Sequence, residues 1–325
     1  MFDTIPHLFL KFLRRKVYPF FFRKTKFKLP VCEMDLDKSN EIIYNMLAGP
    51  EPCMIARFGA TEMAVIANYI HIIRNNRNVF EYIKGLNGEW WWNERTILQL
   101  KQWSGVWPST HEVAEAFAKI SIEDAKEIDV LGSWLLDENL LTQELVKAKK
   151  VQLFNLEPFW ATKPWTRILE GKKVLVIHPF EDTIQRQYKK YEYLFMNPQI
   201  LPKFTLLTYK SVQSLGGCSE FANWFEALEK MKCDIDTLDY DIAILGCGAY
   251  GLSLAAHIKR TGKKAIHLGG VTQLLFGIMG KRWEQPTEAM CRNGFYPDLF
   301  NENWCRPNDR ERPLTACKVE DACYW

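Results

Sequence analysis

The 325-residue chain lacks several features that would place it in a specialised class of protein. No run of about 18 apolar residues is present, so the sequence predicts no membrane-spanning helix. Internal repeats and low-complexity linkers are also missing, which excludes solenoids and long disordered connections. With 47% apolar and 25% charged residues, the composition is typical of a globular protein with a large core.

Cysteine is present but is not arranged for metal binding. None of the nine cysteines forms a C-x-x-C pair, which argues against a zinc knuckle. The first 30 residues do not resemble an export signal, because charges run through them and no small-residue cleavage site follows. We therefore expect reduced thiols and a cytoplasmic protein.

Positive charge is concentrated at the start of the chain. Residues 1–28 carry eight Lys or Arg and one Asp, a net +7, so the remainder of this +3 chain is +3 − 7 = −4. A slightly acidic body predicts no nucleic-acid partner. The basic segment is also rich in Phe and Leu, which suggests contact with an anionic membrane at its inner face. The alternative is a helix that packs on the body with its cations in water.

Apolar runs alternate with helical patterns through the middle of the chain, which predicts an α/β protein. We expect a Rossmann-like, mainly parallel sheet flanked by helices, with an amphipathic basic arm (1–30), a catalytic body (31–283) and an irregular tail packed on it (284–325). The predicted strands lie within 53–59, 127–134, 151–159, 172–180, 203–212, 239–246 and 263–270. The clearest predicted helices are 61–73, 182–195, 221–235 and 252–262.

The stretch GCGAYG follows one of these strands and reads as G-x-G-x-x-G. Such a turn lets the backbone approach a phosphate at a helix start. A dinucleotide site also needs an acidic residue at the end of the next strand, but KKAIHLGG offers only His267 and glycines there. Methyltransferases that use S-adenosylmethionine usually carry an acid before the first glycine, where this chain has Leu245. We therefore expect no NAD; a tight structural turn remains the alternative to a phosphate cradle.

The early stretch ARFGATEM places an arginine late in a predicted buried strand, where its charge requires a partner. Arg57 is suited to a phosphate and Glu62 to a metal ion or a sugar hydroxyl. A purely structural alternative assigns Thr61 to the helix N-cap and Glu62 to the first turn, where the helix dipole favours a carboxylate.

Together, ARFGATEM and the late block from Asp241 to Trp283 resemble bacterial glycosyltransferases of the GT-D fold, which are associated with capsular and surface polysaccharides. The resemblance implies a hexosyltransferase that uses a nucleotide-sugar donor, typically a UDP-sugar, and a glycan or lipid-linked acceptor. It also implies a divalent cation, Mn²⁺ or Mg²⁺, held by an Asp-x-Glu motif. Here the matching triplet is Ala60-Thr61-Glu62, so Glu62 alone remains as a metal ligand and metal dependence stays open.

A glycosyltransferase must stabilise a departing diphosphate and activate an acceptor hydroxyl. The candidate catalytic residues are Glu62, His178 and Asp182. The candidate nucleotide-sugar contacts are Arg57, Gly59, Thr61, Gly246, Gly248, Ala249, Tyr250, Gly251, Gly269 and Gln273. We expect acidic neighbours to raise the pKa of His178, and Lys281 offers another cation for the diphosphate.

Trp90, Trp91 and Trp92 are a candidate acceptor platform, with a packed lid as the alternative. A Rossmann enzyme that uses NAD(P) or S-adenosylmethionine, and a non-catalytic nucleotide-sugar-binding relative, remain the alternative functions.

Overall fold

The computed structural model describes residues 5–22, 27–213, 220–313, 316 and 322–325. Seven strands form one sheet in which every pairing is parallel, in the order β3-β2-β1-β7-β6-β4-β5. The strands are β1 (Cys53–Ala56), β2 (Val130–Ser133), β3 (Lys149–Gln152), β4 (Lys173–His178), β5 (Thr205–Lys210), β6 (Ile242–Leu245) and β7 (Lys264–His267). This confirms the predicted Rossmann-like α/β class.

The helices cover both faces of the sheet, as an all-parallel sheet requires. They are α1 (Ile5–Phe12), α2 (Tyr18–Phe21), α3 (Leu36–Ala48), α4 (Ala60–Arg74), α5 (Val79–Lys84), α6 (Glu94–Ser104), α7 (His111–Ala125), α8 (Glu181–Tyr188), α9 (Trp224–Asp236), α10 (Tyr250–Arg260), α11 (Thr272–Leu275) and α12 (Lys281–Glu284). A π-helical turn, Leu13–Val17, joins α1 to α2. None of the helices built from described residues combines the length and hydropathy that crossing a bilayer requires.

Alternate residues of each strand enter two separate cores. In β1, Met54 and Ala56 pack in the core that contains α4, α7, α9 and α10, whereas Cys53 and Ile55 pack in the core that contains α3, α8 and the C-terminal segment. Because side chains alternate across a strand, one short apolar run supplies both cores.

Four strands whose ends carry candidate residues are neighbours in the sheet. The register aligns Ile55 of β1 with Ile266 of β7, Ile266 with Ile244 of β6, and Ile244 with Val176 of β4. All four strands point the same way, so the segments that follow them meet at the carboxyl edge. β7 lies between the strands that carry ARFGATEM and GCGAYG.

Two predicted elements were wrong in extent. The strand predicted for 151–159 ends at Gln152, because the Gln152 side chain accepts a hydrogen bond from the Phe154 backbone (2.7 Å) and starts a 3₁₀ turn. The helix predicted for 182–195 ends at Tyr188 and is followed by a 3₁₀ turn at Tyr191–Tyr193. The irregular tail was predicted correctly: the described part of 285–325 consists of short 3₁₀ turns and irregular segments, and Tyr296, Trp304 and Trp325 pack in the core.

Candidate functional site

A cavity of about 410 Å³ opens at the carboxyl edge of the sheet, where parallel α/β proteins bind their ligands. The segments that follow β1, β4, β6 and β7 line it, together with residues of the C-terminal segment. Most of the predicted site residues therefore meet at one place.

Arg57 follows β1 and faces this cavity. Its guanidinium lies 5.6 Å from the Trp134 ring, and it makes no hydrogen bond or ion pair with any residue that the structure describes. Burial lowers the pKa of Arg57, while the nearby charge of Glu62 opposes that effect. An arginine remains charged in either case, so the cavity contains a cation whose donors are available to an anion.

Glu62 folds back over Gly59 in the first turn of α4. A Cβ atom on Gly59 would lie 1.8 Å from Glu62 Oε2, so only glycine leaves room for this carboxylate position. Gly59 is the N-cap residue of α4 and makes no side-chain capping bond, so the alternative of Thr61 as N-cap was wrong. Thr61 lies within the first turn and lines the cavity with Glu62.

The metal motif implied by the resemblance is incomplete at this position. Ala60 is exposed and Glu62 is the single carboxylate of the triplet. Across the described ranges, no three His, Cys, Asp or Glu side chains gather as a metal site. The described residues therefore do not form a cage for a hard cation.

The glycines of GCGAYG serve different purposes. Gly248 has φ +59°, which glycine adopts without strain, and its backbone N–H and that of Ala249 donate to no described residue. Gly246 leaves space for His178 and Thr272, since its Cβ would lie 2.6 Å and 2.7 Å from their atoms. The free N–H groups at the start of α10 match a phosphate cradle.

Gly251 and Tyr250 have packing roles. A Cβ on Gly251 would lie 2.1 Å from the His267 ring, so glycine brings α10 close to β7. Tyr250 is buried and stacks on Trp224 with a centroid distance of 5.1 Å. Gly251 thus sets the packing of α10 on β7, and the stack on Trp224 holds Tyr250, which also lines the cavity.

His178 ends β4 and is only 3% exposed. Its Nδ1 accepts a hydrogen bond from the Phe180 backbone (3.0 Å), so the neutral ring carries its proton on Nε2. Burial lowers the pKa of His178 to about 3, which corrects the expectation that acidic neighbours raise it. At neutral pH the residue is therefore a hydrogen-bond donor and not a general base.

Two buried polar groups near the cavity have spare hydrogen-bonding atoms. The Gln273 amide nitrogen donates to the carbonyls of Ile278, Met279 and Tyr324 at 3.2 Å each. Its Oε1, and Nδ1 of His267, have no hydrogen-bond partner within the described part of the chain. Gln273 thus holds the loop after β7 in place and leaves one acceptor for a ligand.

The loop after β7 is closed by residues from the C-terminal segment. Gly269 has φ +70°, and a Cβ there would lie 3.6 Å from Arg57 Nη1. The Tyr324 ring packs where a Cβ of Gly270 would be, at 2.3 Å. Arg282 donates to the Tyr324 hydroxyl (2.9 Å) and lies over the same ring. Arg282, rather than the exposed Lys281, lines the cavity.

A second carboxyl group lies in the cavity wall after β3. Glu157 is 7% exposed and accepts a hydrogen bond from the Tyr296 hydroxyl (2.7 Å). Burial raises the pKa of Glu157 to about 8, so this carboxyl is largely protonated at neutral pH. Perturbed carboxyl groups in clefts are frequent at functional sites.

Asp182 and the tryptophan run lie outside the cavity lining. Asp182 is exposed in the first turn of α8, where its backbone N–H donates to Glu311 (2.8 Å). Trp91 stacks on His7 of α1 (4.1 Å) and meets Trp90 edge to face (4.9 Å). The predicted platform at 90–92 is therefore a packed aromatic cluster.

Trp134, Glu157, Arg282 and Tyr324 also line the cavity, although none of them is among the named catalytic and nucleotide-sugar candidates. Trp134 and Glu157 follow β2 and β3, so their positions at strand ends were the available signal. Arg282 and Tyr324 reach the cavity through contacts between distant parts of the chain, for which the sequence carries no local pattern.

Comparison with protein-family models, with curated proteins and with solved structures gives no match for this chain.

Proposed function

We propose that the protein is a glycosyltransferase that moves a hexose from a nucleotide-sugar, of the UDP-sugar type, to a glycan or lipid-linked acceptor. The observation that carries this proposal is Arg57: a cation that makes no hydrogen bond or ion pair with the described residues, placed in a cavity between two glycine turns. The resemblance of ARFGATEM and of residues 241–283 to GT-D enzymes supports the same class.

In this proposal the diphosphate of the donor lies between Arg57 and the turn after β6. Arg57 supplies a planar set of charged donors, and Gly248 and Ala249 supply backbone N–H groups at the start of α10. His178 adds a neutral Nε2–H donor beside Gly246. These donors oppose the charge that develops on the leaving nucleoside diphosphate.

Glu62 is the proposed proton acceptor. As the acceptor hydroxyl attacks the anomeric carbon, the bond from that carbon to the diphosphate oxygen breaks and the hydroxyl proton passes to the Glu62 carboxylate. The position of Glu62 over Gly59, in the cavity with Arg57, supports this role. Trp134 offers an aromatic face on which a sugar ring can stack.

A ligand panel tests the proposal. Thermal midpoints are measured with UDP- and GDP-sugars, each with and without Mn²⁺, and with NAD and S-adenosylmethionine. We expect a nucleotide-sugar to raise the midpoint, since a ligand that binds only the folded state stabilises it. A shift with NAD or S-adenosylmethionine alone would falsify the proposal in favour of another Rossmann enzyme, and binding without turnover indicates a non-catalytic relative.

Two variants locate the donor site. Arg57→Ala removes the proposed diphosphate cation, and we expect donor affinity to fall by about tenfold to a hundredfold, as for loss of a hydrogen-bonded charge. Arg74→Ala, an exposed arginine at the end of α4, is the matched control. If both variants bind donor like the parent, the donor site lies elsewhere.

Gly248→Val tests the glycine turn. Its control is Gly171→Val, because Gly171 also has positive φ (+71°) but precedes β4 at the opposite edge of the sheet and has open space at its Cβ. We expect similar strain in both variants and loss of donor binding in Gly248→Val alone. Equal donor binding by the two variants removes GCGAYG from the site.

A further inference from the structure

The N-terminal helix exposes most of its large apolar side chains and turns two of its cations toward the body. This helix comprises α1, the π-helical turn and α2, and it packs beside α5. A helix on a protein surface normally turns its apolar stripe inward and its charges to water. Here two cations face the body and most of the large apolar side chains face out.

The inward cations make specific contacts. Lys11 lies 3.4 Å from Glu89, and the two side chains are 11% and 13% exposed. Arg14 donates to the Asn87 carbonyl (2.9 Å) and lies 4.7 Å from the Tyr82 ring. These contacts fix which face of the helix is turned outward.

The outward face is rich in aromatic residues and has no cover within the described chain. Its apolar side chains are Leu8 (54% exposed), Phe9 (58%), Phe12 (54%), Phe20 (82%), Phe21 (69%) and Phe22 (59%). Arg15 and Lys16 are exposed between them. Large apolar side chains exposed in this number on one helix mark a surface that binds something apolar.

The charge pattern identifies the occupant. An anionic bilayer offers an apolar interior to the phenylalanines and negative headgroups to Arg15 and Lys16. A second copy of the chain fits less well, because a two-fold contact would place the same cations opposite each other. The basic segment (+7 over residues 1–28, against −4 elsewhere) also favours an anionic partner over the body of another copy.

The geometry points to a membrane-docking face: the helix lies in the interface of an anionic bilayer, with Phe9, Phe12 and Phe20 among the acyl chains and Arg15 and Lys16 at the headgroups. The body contacts through Lys11 and Arg14 hold this face outward before binding. This inference stands independently of the proposed transferase activity.

The test is co-sedimentation of the full chain with vesicles of phosphatidylglycerol and phosphatidylcholine, compared with vesicles of phosphatidylcholine alone. We expect binding to the anionic vesicles that weakens as salt is added. The triple variant Phe9→Ser/Phe12→Ser/Phe20→Ser should reduce that binding by more than about tenfold. Arg15→Gln/Lys16→Gln should reduce it about thirtyfold at low salt.

The controls are changes of the same kind outside the helix. Met196→Ser/Phe295→Ser removes exposed apolar side chains, and Lys147→Gln/Lys203→Gln removes exposed cations. Both should bind vesicles like the parent, and thermal midpoints check that every variant is folded.

Equal vesicle binding by the parent and the triple variant overturns the inference, as does a parent that does not bind anionic vesicles. A dimer in sedimentation analysis that the triple variant abolishes, without vesicle binding by the parent, assigns the face to self-association instead and also overturns it.

Discussion

The segments after β1 and β4 carry similar sets of charged and polar residues but differ in how these are satisfied. After β4, His178 accepts from its own loop, Glu181 accepts from Thr208 (2.8 Å), and Asp182 lies outside the cavity. After β1, Arg57 makes no hydrogen bond or ion pair with the described chain and Glu62 is held over a glycine. A position at a strand end therefore does not by itself indicate a functional residue, whereas a polar group that faces a cavity with unused hydrogen-bonding capacity does.

The greatest loss of rate is expected when the acid after β1 is replaced, and replacing the acid after β4 should have little effect. Glu62→Gln removes the proposed proton acceptor, and we expect sugar transfer to fall by about 10²–10⁴-fold, the usual contribution of a general base. Asp182→Asn should leave the rate within about twofold, because its side chain lies outside the cavity. Steady-state rates with a donor found in the ligand panel provide the measurement. The reverse ranking of the two variants would move the chemistry to the β4 end.

A smaller effect is expected from moving Glu62 without removing it. Gly59→Ala places a Cβ 1.8 Å from the present position of Glu62 Oε2, so the flexible carboxylate must swing away. We expect the rate to fall by roughly tenfold with little change in thermal midpoint, in line with the cost of misplacing a catalytic group. Gly49→Ala, whose added Cβ meets only ordinary contacts at 3.5 Å or more, is the control. A Gly59→Ala enzyme with the parent's rate argues against this role for Glu62.

Glu157, after β3, is a third acid at the carboxyl edge, and it should make the free energy of unfolding depend on pH. Its pKa is raised to about 8 in the folded state, so between about pH 4.5 and 8 the folded chain holds a proton that the unfolded chain has lost. The protonated carboxyl therefore adds to the free energy of unfolding in full below pH 4.5. This stabilisation declines, by at most about 1.4 kcal/mol per pH unit, as pH rises towards 8. The free energy of unfolding, measured with denaturant at pH 5 and at pH 8, should not show that decline in Glu157→Gln. The exposed Glu170→Gln should show the same decline as the parent. Parallel pH profiles for the parent and Glu157→Gln would contradict the assignment.

Replacing His178 should have the least effect on how the rate depends on pH. Because its pKa is lowered to about 3, the ring stays neutral across the working range and contributes no limb near pH 6.5 to the rate profile. The free energy of unfolding depends on pH in the opposite direction from that for Glu157. The stabilisation from the neutral His178 is complete above pH 6.5 and declines as pH falls towards 3. His178→Gln should therefore leave the shape of the rate profile between pH 5 and 8 unchanged. A limb near pH 6.5 that disappears in this variant would return His178 to the role of general base.

The sequence predicts the fold well because its signals are local. The apolar runs that become β1, β4, β6 and β7 are short and bounded by charged or glycine-rich segments, and parallel pairing brings their ends together. The position of Arg57 in the cavity was predictable as well, since it directly follows a buried apolar run and so lies at the carboxyl edge of the sheet. The strand predicted for 151–159 failed because the Gln152 side chain caps a turn, a local competition that hydrophobic pattern does not register.

The rest of the site depends on contacts between distant residues. Asp182 was a candidate because it follows a strand, but α8 begins there with its backbone N–H groups bonded to Glu311 from the C-terminal segment. Arg282 and Tyr324 join the cavity through a hydrogen bond across 42 positions. Trp90–Trp92 form a run in the sequence, whereas the aromatic residues that line the cavity occur singly or as the pair Tyr324-Trp325.

The contact between Gly251 and His267 makes these two positions interdependent in evolution. A side chain at 251 would occupy the place of the imidazole, with a Cβ 2.1 Å from the ring, so a larger residue at 251 requires a smaller one at 267. In homologous chains we expect this pairing to appear as a covariation that arises from packing and not from ligand binding. The third glycine of the G-x-G-x-x-G pattern would then be retained because of its contact with residue 267. The double substitution Gly251→Ala/His267→Ala should recover stability that Gly251→Ala alone loses.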